Sequence, residues 1–483
     1  MTPRTLPEAF VAMLRGYRFA AVDPLLDALA GGEPVTAVRP NTAKGIVFPD
    51  TLGRQVPWLP AARYLDERPV FALDPAWHQG LYYVQDASSM AFTLIVKDIV
   101  TAHFGYRPIR VLDACAAPGG KSIAVLEACP DGTALVCNEF DGRRARILAE
   151  NIAKYGYQAV AVTSSDTKAF PAMGEEFDLA IVDAPCSGEG MMRKEPEAIA
   201  QWSDGLVKQC AALQREILAN VWQALRPGGV LIFSTCTFNA LENEANLVYL
   251  VEELGAQPIE LPVGKLPGTA PTYDGRYPGR HFFPGCVEGE GLFAAMVAKP
   301  GKWEPAPPEG EASKQKTRKS DKTKAPKPDA SALAFARSVL ANPDEYVVVN
   351  KDDTFSALHV AHAAFFGRVA RAAHTLRCGL PLFTIKGRDM VPAPELALST
   401  AIRPDAFPTV DLSPDAALAY LHGDSLTDIP DALPRGFALA ACRNVPMGFI
   451  KNIGRRANNL YPDAWRLRID SARGAVSLID SNG

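Results

Sequence analysis

Before residue 300, short apolar runs alternate with stretches in which apolar residues recur at helical spacing. Five runs bounded by turn residues indicate strands, at residues 109–116, 133–140, 159–165, 177–184 and 229–236. Residues 142–156 and 206–225 lie between them and indicate amphipathic helices. Strands that are apolar on both faces and alternate with helices are typical of a buried parallel sheet. The pattern predicts a doubly wound α/β domain, in which ligands bind beyond the carboxyl ends of the strands.

One long polar segment interrupts this alternation. Residues 301–330 show no apolar periodicity and are rich in Pro, Lys and Ser, which is typical of a linker. Between Lys314 and Lys327 this segment holds seven Lys or Arg against one acid, Asp321. A solvated tether and an arm that follows RNA both fit such a charge run. The sequence therefore divides into a large α/β region and a later region of shorter elements.

Composition places the chain among globular proteins. It has 483 residues, of which 48% are hydrophobic and 22% charged, enough to bury several cores. The net charge of -4 does not indicate nucleic-acid binding by the whole chain, so local basic patches would have to carry it. The apolar runs are too short to span a bilayer, and the first residues lack the apolar centre of a signal peptide. We therefore expect a cytosolic protein without membrane contact.

The nine cysteines are scattered and form no CxxC pair, so the sequence predicts neither a disulfide framework nor a metal site. Cys186 follows Pro185 after the fourth predicted strand, and Cys236 ends the fifth. Core packing is the ordinary role of a free cysteine, but a thiolate beside a ligand pocket also suits covalent catalysis. The remaining cysteines are interpreted as packing residues: Cys115, Cys129, Cys137, Cys210, Cys286, Cys378 and Cys442.

Acidic residues end three predicted strands near a glycine turn. The first strand runs into residues 113–122 (DACAAPGGKS), whose glycines let a ligand approach the backbone at a helix start. Glu139, Asp166 and Asp183 end the second, third and fourth strands. The glycine spacing matches neither the GxGxxG fingerprint nor the P-loop. The set of acids suits a ligand that carries a ribose, an adenine and an amine.

Four of these stretches, in this order, resemble the motifs of the Nop/Sun family of RNA cytosine-5 methyltransferases, which use S-adenosylmethionine. They are VLDACAAPGGKS (111–122), NEFDGRRARIL (138–148), DAPCSGEGMMRK (183–194) and STCTFNALENE (234–244). VRPNTAK (38–44) and YVQDASSM (83–90) are similar to the N-terminal RNA-binding elements of that family. MGFIKNIGRRANNLYP (447–462) resembles the C-terminal domain of its bacterial RsmF-like branch, which acts on 16S ribosomal RNA.

The resemblance implies a Rossmann-like methyltransferase core at residues 96–300. It implies a small N-terminal RNA-binding domain at 1–95, before the core. After the basic linker at 301–330, it implies a first C-terminal domain at 331–400 and a PUA-like RNA-binding β-barrel at 401–483. We expect a monomer that contacts ribosomal RNA, as naked RNA or in the assembled small subunit.

The resemblance also implies the roles of the residues at the strand ends. Glu139 would bind the ribose, Asp166 the adenine side, and Asp183 would lie between the cofactor and the target base. The other residues expected to bind the cofactor are Cys115, Ala116, Ala117, Pro118, Gly119, Gly120, Lys121 and Arg144. Cys236 would be the nucleophile, and Cys186 would assist product release. For Lys121, lowering a thiol pKa, holding the base and a phosphate-side or structural role all remain open.

Basic residues in three places are candidates for RNA contacts. They are Arg39, Asn41 and Lys44 near the N-terminus, Arg193 and Lys194 after the loop that contains Pro185, Cys186, Gly188 and Gly190 (the Pro-Cys loop), and Lys451, Arg455 and Arg456 near the C-terminus. The last three flank the aromatic residues Phe449, Tyr461 and Trp465, which could instead form the core of a small barrel. Gly188 and Gly190 are expected to let the Pro-Cys loop bend around a flipped nucleotide.

Three functional classes fit the sequence. The first is methylation of cytosine in 16S ribosomal RNA, and the second is the same chemistry on transfer RNA. The third is a non-catalytic RNA-binding assembly factor, which would be indicated by the loss of either catalytic cysteine or of Asp183. All three residues are present, so the sequence favours an enzyme.

Overall fold

The computed structural model describes residues 4–306, 329–469 and 474–479. Most of the predicted linker, including the basic run from Lys314 to Lys327, lies outside these ranges. The predictions for that segment therefore remain predictions.

The N-terminal domain contains two helices and a small antiparallel sheet. The helices are α1 (Glu8–Gly16) and α2 (Val22–Gly31); the strands are β1 (Thr36–Pro40), β2 (Gln55–Val56), β3 (Leu59–Leu65) and β4 (Tyr82–Val84), in the order β2-β3-β1-β4. The short α3 (Pro75–His78) precedes β4, and α4 (Ala87–Ala102) follows it. The predicted boundary between residues 95 and 96 falls inside α4, whose apolar face belongs to the core beneath the central sheet. The division therefore lies before α4.

The central sheet contains all five predicted strands. They are β5 (Arg110–Asp113), β6 (Ala134–Asn138), β7 (Val160–Thr163), β8 (Phe177–Asp183) and β9 (Leu225–Thr235), parallel in the order β9-β8-β5-β6-β7. The helices of this domain are α5 (Gly120–Ala128), α6 (Gly142–Tyr155), α7 (Pro196–Gln201), α8 (Asp204–Ala224) and α9 (Glu244–Val248). Separate apolar cores pack on the two faces of the sheet, which is why its strands are apolar on both sides. The predicted Rossmann-like fold is confirmed.

Antiparallel strands extend this sheet beyond β9. They are β10 (Gln257–Ile259), β11 (Ala270–Pro271), β12 (Arg280–Phe282) and β13 (Leu292–Ala298). Strand β13 pairs with β9. Along its opposite edge it pairs with both β12 and β10, and β12 in turn pairs with β11.

The first C-terminal region is joined to the central sheet. Its elements are α10 (Ala330–Val339), β14 (Tyr346–Lys351), β15 (Thr354–His359), α11 (Ala363–Ala372), β16 (Thr375–Cys378), β17 (Leu380–Lys386), β18 (Asp389–Pro392) and α12 (Pro394–Leu398). Four strands form a separate sheet in the order β14-β15-β17-β18, but β16 pairs antiparallel with β7. Residues 331–400 therefore do not form an independent unit, because one of their strands completes the edge of the central sheet.

The last domain contacts the N-terminal domain. It contains β19 (Thr409–Leu412), α13 (Pro414–His422), β20 (Gly436–Cys442), β21 (Val445–Asn452) and β22 (Ala457–Asn459), and its sheet has the order β19-β20-β21-β22. The Gln79 side-chain amide donates to the carbonyl oxygens of Cys442 (2.8 Å) and Val445 (2.6 Å), at the turn between β20 and β21. Phe449 and Tyr461 are buried in this part of the chain. For these two aromatics the core interpretation holds.

Candidate active site

The turn between β5 and α5 carries the predicted cofactor residues from Cys115 to Lys121. Gly119 adopts a φ of 114° and immediately precedes α5, a conformation that favours glycine. A Cβ on Gly120 would lie 2.9 Å from the side-chain nitrogen of Gln85, so the backbone and the N-terminal domain approach closely. Below the turn, Asp113 is buried and accepts a hydrogen bond from the Ser122 hydroxyl (2.7 Å). Burial raises the pKa of Asp113 to about 7.

Two of the predicted acids lie at the same edge of the sheet. Glu139 follows β6 and is buried; it accepts the Asp141 amide (3.0 Å), and Nη1 of Arg144 lies 3.4 Å from its other oxygen. Arg144 also donates to the carbonyl of Ala117 (2.9 Å), so it links the second strand end to the glycine turn. Asp166 follows β7, is exposed, and accepts the backbone amide of Lys168 (3.0 Å). The structure thus groups these residues as the sequence predicts.

Lys121 and Asp183 form an ion pair where β8 ends. The lysine Nζ lies 2.7 Å from Oδ2 of Asp183, and the hydroxyl of Ser234 donates to Oδ1 (2.7 Å). Burial alone would lower the pKa of Lys121, but the charge and hydrogen bond of Asp183 raise it above its ordinary value. A thiolate at Cys236 would raise it further. Lys121 is therefore a half-buried, charged group that interacts with the charge of both Asp183 and Cys236.

The two predicted catalytic cysteines are in contact. Their Sγ atoms are 3.1 Å apart, although the residues are fifty positions apart in the chain. The hydrogen bond to Cys236, together with burial, raises the pKa of the Cys186 thiol well above its ordinary value. Two thiols this close beside a Lys-Asp pair can divide two tasks, attack by one sulfur and hydrogen-bond donation by the other.

Two buried glutamates, which sequence reasoning did not single out, support the cysteine loops. Glu189 accepts hydrogen bonds from the backbone amides of Phe238 (2.6 Å) and Asn239 (3.1 Å). Glu242 accepts from the amide of Ser187 (3.0 Å) and from the side chain of Asn239 (2.8 Å). Both glutamates lie inside the family-like motifs, three positions after Cys186 and six after Cys236. Their position in the motifs is the clue that could have identified them.

The glycines of the Pro-Cys loop have two different reasons to be there. Gly188 has a φ of 73°, a conformation that side chains disfavour. Gly190 donates its amide to the carbonyl of Cys236 (2.8 Å), and a Cβ there would lie 2.6 Å from the carbonyl of Glu290. The first glycine permits the bend, and the second permits close contact between the two cysteine loops. The predicted bending around a nucleotide remains a prediction.

Of the N-terminal candidates for RNA contacts, Arg39 and Asn41 are buried and Lys44 is half-buried, and the assignment is corrected because all three bond within the protein. Arg39 is 0% exposed and pairs with Glu127, while Asn41 donates to the carbonyls of Gly80 (2.8 Å) and Tyr155 (3.0 Å). The Lys44 ammonium donates to two backbone carbonyls, those of residues 79 (2.6 Å) and 154 (2.7 Å). These contacts connect the N-terminal domain to the domain of the central sheet, and burial keeps Arg39 and Asn41 from reaching a phosphate.

Arg193 is corrected for the same reason. It is buried, and its Nε donates to Glu290 (2.8 Å) while Nη2 donates to the carbonyl of Gly289 (2.7 Å). Lys194 is exposed, 3.5 Å from the same glutamate. An RNA contact for Lys194 remains a prediction.

The C-terminal candidates for RNA contacts are more accessible. Lys451 is half-buried, with its ammonium 5.2 Å from the centre of the Phe437 ring. Arg455 and Arg456 are exposed in the turn between β21 and β22. Their contact with RNA also remains a prediction.

The other cysteines divide by burial. Cys129, Cys137 and Cys442 are buried, as packing residues should be, whereas Cys286 is exposed, so its assignment to the core is wrong. Partly buried are Cys115, Cys210 and Cys378.

No helix in the described ranges is long and apolar enough to cross a membrane. Among the same residues, His, Cys, Asp and Glu form no group of three or more arranged to hold a metal ion.

Comparison with known proteins agrees with this geometry. Residues 107–298 match the family model for the 16S rRNA methyltransferase RsmB/F, residues 6–87 match the N-terminal domain of the 16S rRNA methyltransferase RsmF, and residues 407–467 match the RsmF PUA domain. Ribosomal RNA small subunit methyltransferase F of Escherichia coli O6:H1 is 34% identical over 392 residues, which is 79% of this chain and 78% of that protein. Its counterpart in Shigella boydii serotype 18 is 34% identical over 394 residues, with the same coverage of both chains.

A solved structure supports the fold. The crystal structure of PH0851 superposes with a TM-score of 0.53 at 20% identity, covering 61% of this chain and 66% of that one. The three matched regions follow the order of the N-terminal domain, the catalytic sheet and the last domain described above. The chain therefore belongs to the RsmB/F family of 16S rRNA methyltransferases and has the domain arrangement of RsmF.

Proposed function

We propose that this protein methylates carbon 5 of a cytosine in 16S ribosomal RNA, through a covalent bond between Cys236 and the base. The observation that carries the proposal is the contact between the Cys186 and Cys236 sulfurs (3.1 Å) beside the Lys121-Asp183 ion pair. A methyltransferase that attacks an oxygen or nitrogen atom has no need of paired thiols. An unactivated ring carbon does, because a nucleophile must first add to the neighbouring carbon.

The residues at the strand ends fit S-adenosylmethionine, the cofactor of this enzyme. A buried oxygen of Asp113, directly below the glycine turn, has no hydrogen-bond partner among the described residues. The carboxylates of Glu139 and Asp183 suit a ligand with a ribose diol and positive charge. When bound, the cofactor supplies an electrophilic methyl group. We assign the ribose to Glu139, the adenine side to Asp166 and the remaining contacts to Arg144 and the turn from Cys115 to Lys121.

Addition comes first. The Cys236 thiolate forms a bond to carbon 6 of the cytosine, and the electron pair of the double bond makes carbon 5 nucleophilic. A proton taken up from solvent as the base binds lies between the Asp183 carboxyl and ring nitrogen 3, and it stabilises the negative charge that develops on the ring during addition. Lys121 holds that carboxylate in place and stabilises the thiolate before attack. The base must be unpaired or flipped out to enter.

Elimination completes the reaction. After carbon 5 has been methylated, it loses its proton to a solvent base, the double bond re-forms, and the bond between carbon 6 and the Cys236 sulfur breaks. The departing sulfur carries a negative charge. The Cys186 thiol stabilises this thiolate by donating a hydrogen bond across the observed contact.

The choice of 16S ribosomal RNA rests on the relatives, whose names specify the small ribosomal subunit. Transfer RNA is the alternative substrate for the same chemistry. Methylation assays with purified 16S ribosomal RNA, small subunits and transfer RNA separate these substrates. Bisulfite mapping of ribosomal RNA from a strain that lacks the protein would then locate the nucleotide.

Cysteine variants test the mechanism. Cys236→Ala should abolish methylation, whereas Cys186→Ala should accumulate a covalent protein-RNA complex that survives a denaturing gel. Cys210→Ala is the matched control, since this cysteine lies on α8 near the pair and has no proposed role. Normal turnover by Cys236→Ala would refute the mechanism. Loss of all activity without a trapped complex in Cys186→Ala would refute the release role. If the wild type and all three variants are inactive on every RNA, an assembly factor becomes the better explanation.

A further inference from the structure

Glu242 is connected to the backbone on both sides of Cys186. It accepts the amide of Ser187 (3.0 Å) and the side-chain amide of Gln214 (2.7 Å). The same Gln214 nitrogen donates to the carbonyl of Pro185 (2.9 Å). Glu242 belongs to the motif at residues 234–244, which contains Cys236. Its carboxylate therefore supports the backbone before and after Cys186.

The charge of Glu242 is solvated by neutral groups. Glu242 is 0% exposed, and the donors that reach it are a backbone amide and the side-chain amides of Gln214 and Asn239. Burial raises its pKa, and the hydrogen bonds oppose that effect. In contrast, Asp183 is paired directly with Lys121 at 2.7 Å. Cys236 thus interacts with a cation, Lys121, whereas Cys186 interacts with an anion, Glu242, whose hydrogen-bond donors are neutral.

The thiols respond to these two charges differently. A Cys236 thiolate interacts favourably with Lys121, and the negative charge of Glu242 adds to the effects that raise the pKa of Cys186. The titratable groups around the pair come from several elements. They are Asp113 on β5, Lys121 on α5, Asp183 on β8, Glu189 in the Pro-Cys loop, Cys210 on α8 and Glu242 itself.

We propose that Glu242 is a positioning residue that keeps Cys186 a neutral thiol, hydrogen-bonded to Cys236. Two consequences follow, and both rest on the proposed function. Cys186 does not compete with Cys236 for carbon 6, because its sulfur is not the anion. It also retains the proton with which it stabilises the departing Cys236 sulfur. Together with the hydrogen bond to Cys236 and with burial, the carboxylate thus gives different roles to two sulfurs that are 3.1 Å apart.

Alkylation of the full chain tests this without RNA or cofactor. Iodoacetamide is applied across a pH series, and peptide mass spectrometry measures Cys186 and Cys236 separately. In the wild type, Cys236 should react faster than Cys186 at every pH below the titration midpoint of Cys186. In Glu242→Gln, the rate at Cys186 should rise about tenfold for each pH unit by which its titration midpoint falls.

Two variants separate charge from geometry. Glu242→Asp keeps the charge and should keep a slow Cys186. Glu189→Gln removes a carboxylate from the same network that does not accept the Ser187 amide, and it should leave the rate at Cys186 within about threefold. An unchanged rate in Glu242→Gln, or an equal rise in Glu189→Gln, would overturn the proposal. If Glu242→Gln does not fold, the wild type alone still tests the proposal. A wild-type Cys186 that is alkylated before Cys236 would overturn it.

Turnover provides a second readout. Glu242→Gln should lower kcat for RNA methylation, leave KM for RNA unchanged and accumulate the covalent complex, most strongly at high pH where Cys186 loses its proton. If KM for RNA rises by the same factor by which kcat falls, Glu242 has a merely structural role and the proposal is overturned. An active Cys236→Ala variant would refute the proposed function, and the alkylation rates would still report on Glu242 because they involve neither substrate.

Discussion

Two basic segments of this chain contain the same residue types in opposite surroundings. Arg39 and Lys44, the N-terminal basic segment, lie at the junction with the catalytic domain. Arg455 and Arg456, the C-terminal basic turn, are exposed. The first segment directs its hydrogen-bond donors to the protein, whereas the second leaves them accessible. A cation can join two domains or meet a phosphate, and its burial decides which.

The buried arginine connects three elements. Arg39 on β1 donates to Gln85 (3.0 Å), to Thr93 on α4 (2.8 Å) and to Glu127 on α5. Its side chain and that of Glu127 are 1% and 6% exposed. A buried pair of this kind need not stabilise the protein relative to apolar residues, but removing one partner leaves an uncompensated charge. This loss should be the largest of the effects predicted below.

Arg39→Ala should lower the free energy of unfolding by about 3–5 kcal/mol, because Glu127 stays buried without its partner. Urea unfolding followed by circular dichroism measures the change. The matched control is Arg54→Ala, whose exposed pair with Glu288 should contribute no more than about 1 kcal/mol. Equal losses in the two variants would contradict the assignment of Arg39 to the domain junction.

Lys44→Met should alter the pH dependence of stability. Burial lowers the pKa of Lys44 to about 7 in the folded protein, below its unfolded value of about 10.4. Between these values the unfolded chain binds more protons, so the wild type gains stability relative to Lys44→Met as pH rises. The gain is at most about 1.4 kcal/mol per pH unit. Urea unfolding between about pH 7 and pH 10 measures it.

The control for Lys44 is Lys97→Met, which replaces an exposed lysine on α4. Its stability should parallel that of the wild type across the same pH range. If the Lys44→Met curve also runs parallel to the wild type, the two carbonyls that accept from Lys44 keep it charged. Burial would then not decide its state.

Replacing both Arg455 and Arg456 by Ala should weaken RNA binding and change stability by less than about 0.5 kcal/mol. The slope of log affinity against log salt should become shallower by about 0.7 for each phosphate that the protein no longer neutralises. Fluorescence anisotropy with a labelled 16S fragment across a KCl series measures the slope. Lys386→Ala with Arg388→Ala removes the same charge from another exposed turn. An identical change in that control would remove any special role of the C-terminal basic turn.

The site itself was largely predictable, because its residues follow strands that are recognisable from apolar runs. Parallel strands end at one edge of a sheet, so Glu139, Asp166, Asp183 and Cys236 were expected to lie together. The structure adds that the Cys186 and Cys236 sulfurs are in contact. It also adds Glu189 and Glu242, charged residues for which burial could not be inferred from local pattern.

Local pattern was also insufficient for the domain boundaries. Strand β16 belongs to the region after the linker, yet it pairs with β7 and places the backbone of His374 against Ser164 (2.8 Å) and Ser165 (2.9 Å). These two residues directly precede Asp166. A single added strand of four residues has no periodicity that assigns it to one sheet or another. It pairs with β7 because that strand is bonded to β6 on one edge only and its other edge is available.

By itself, the sequence determined the fold class, the order of the strands along the chain and the chemistry of their ends. These properties follow from apolar periodicity and from motifs whose residues are close in the chain. The tertiary structure decided which charged residues are free. Arg39 and Glu127 are 88 positions apart, and Glu242 reaches Ser187 across 55. Whether such a group is buried and paired depends on contacts between distant segments, and these form only when the chain has folded.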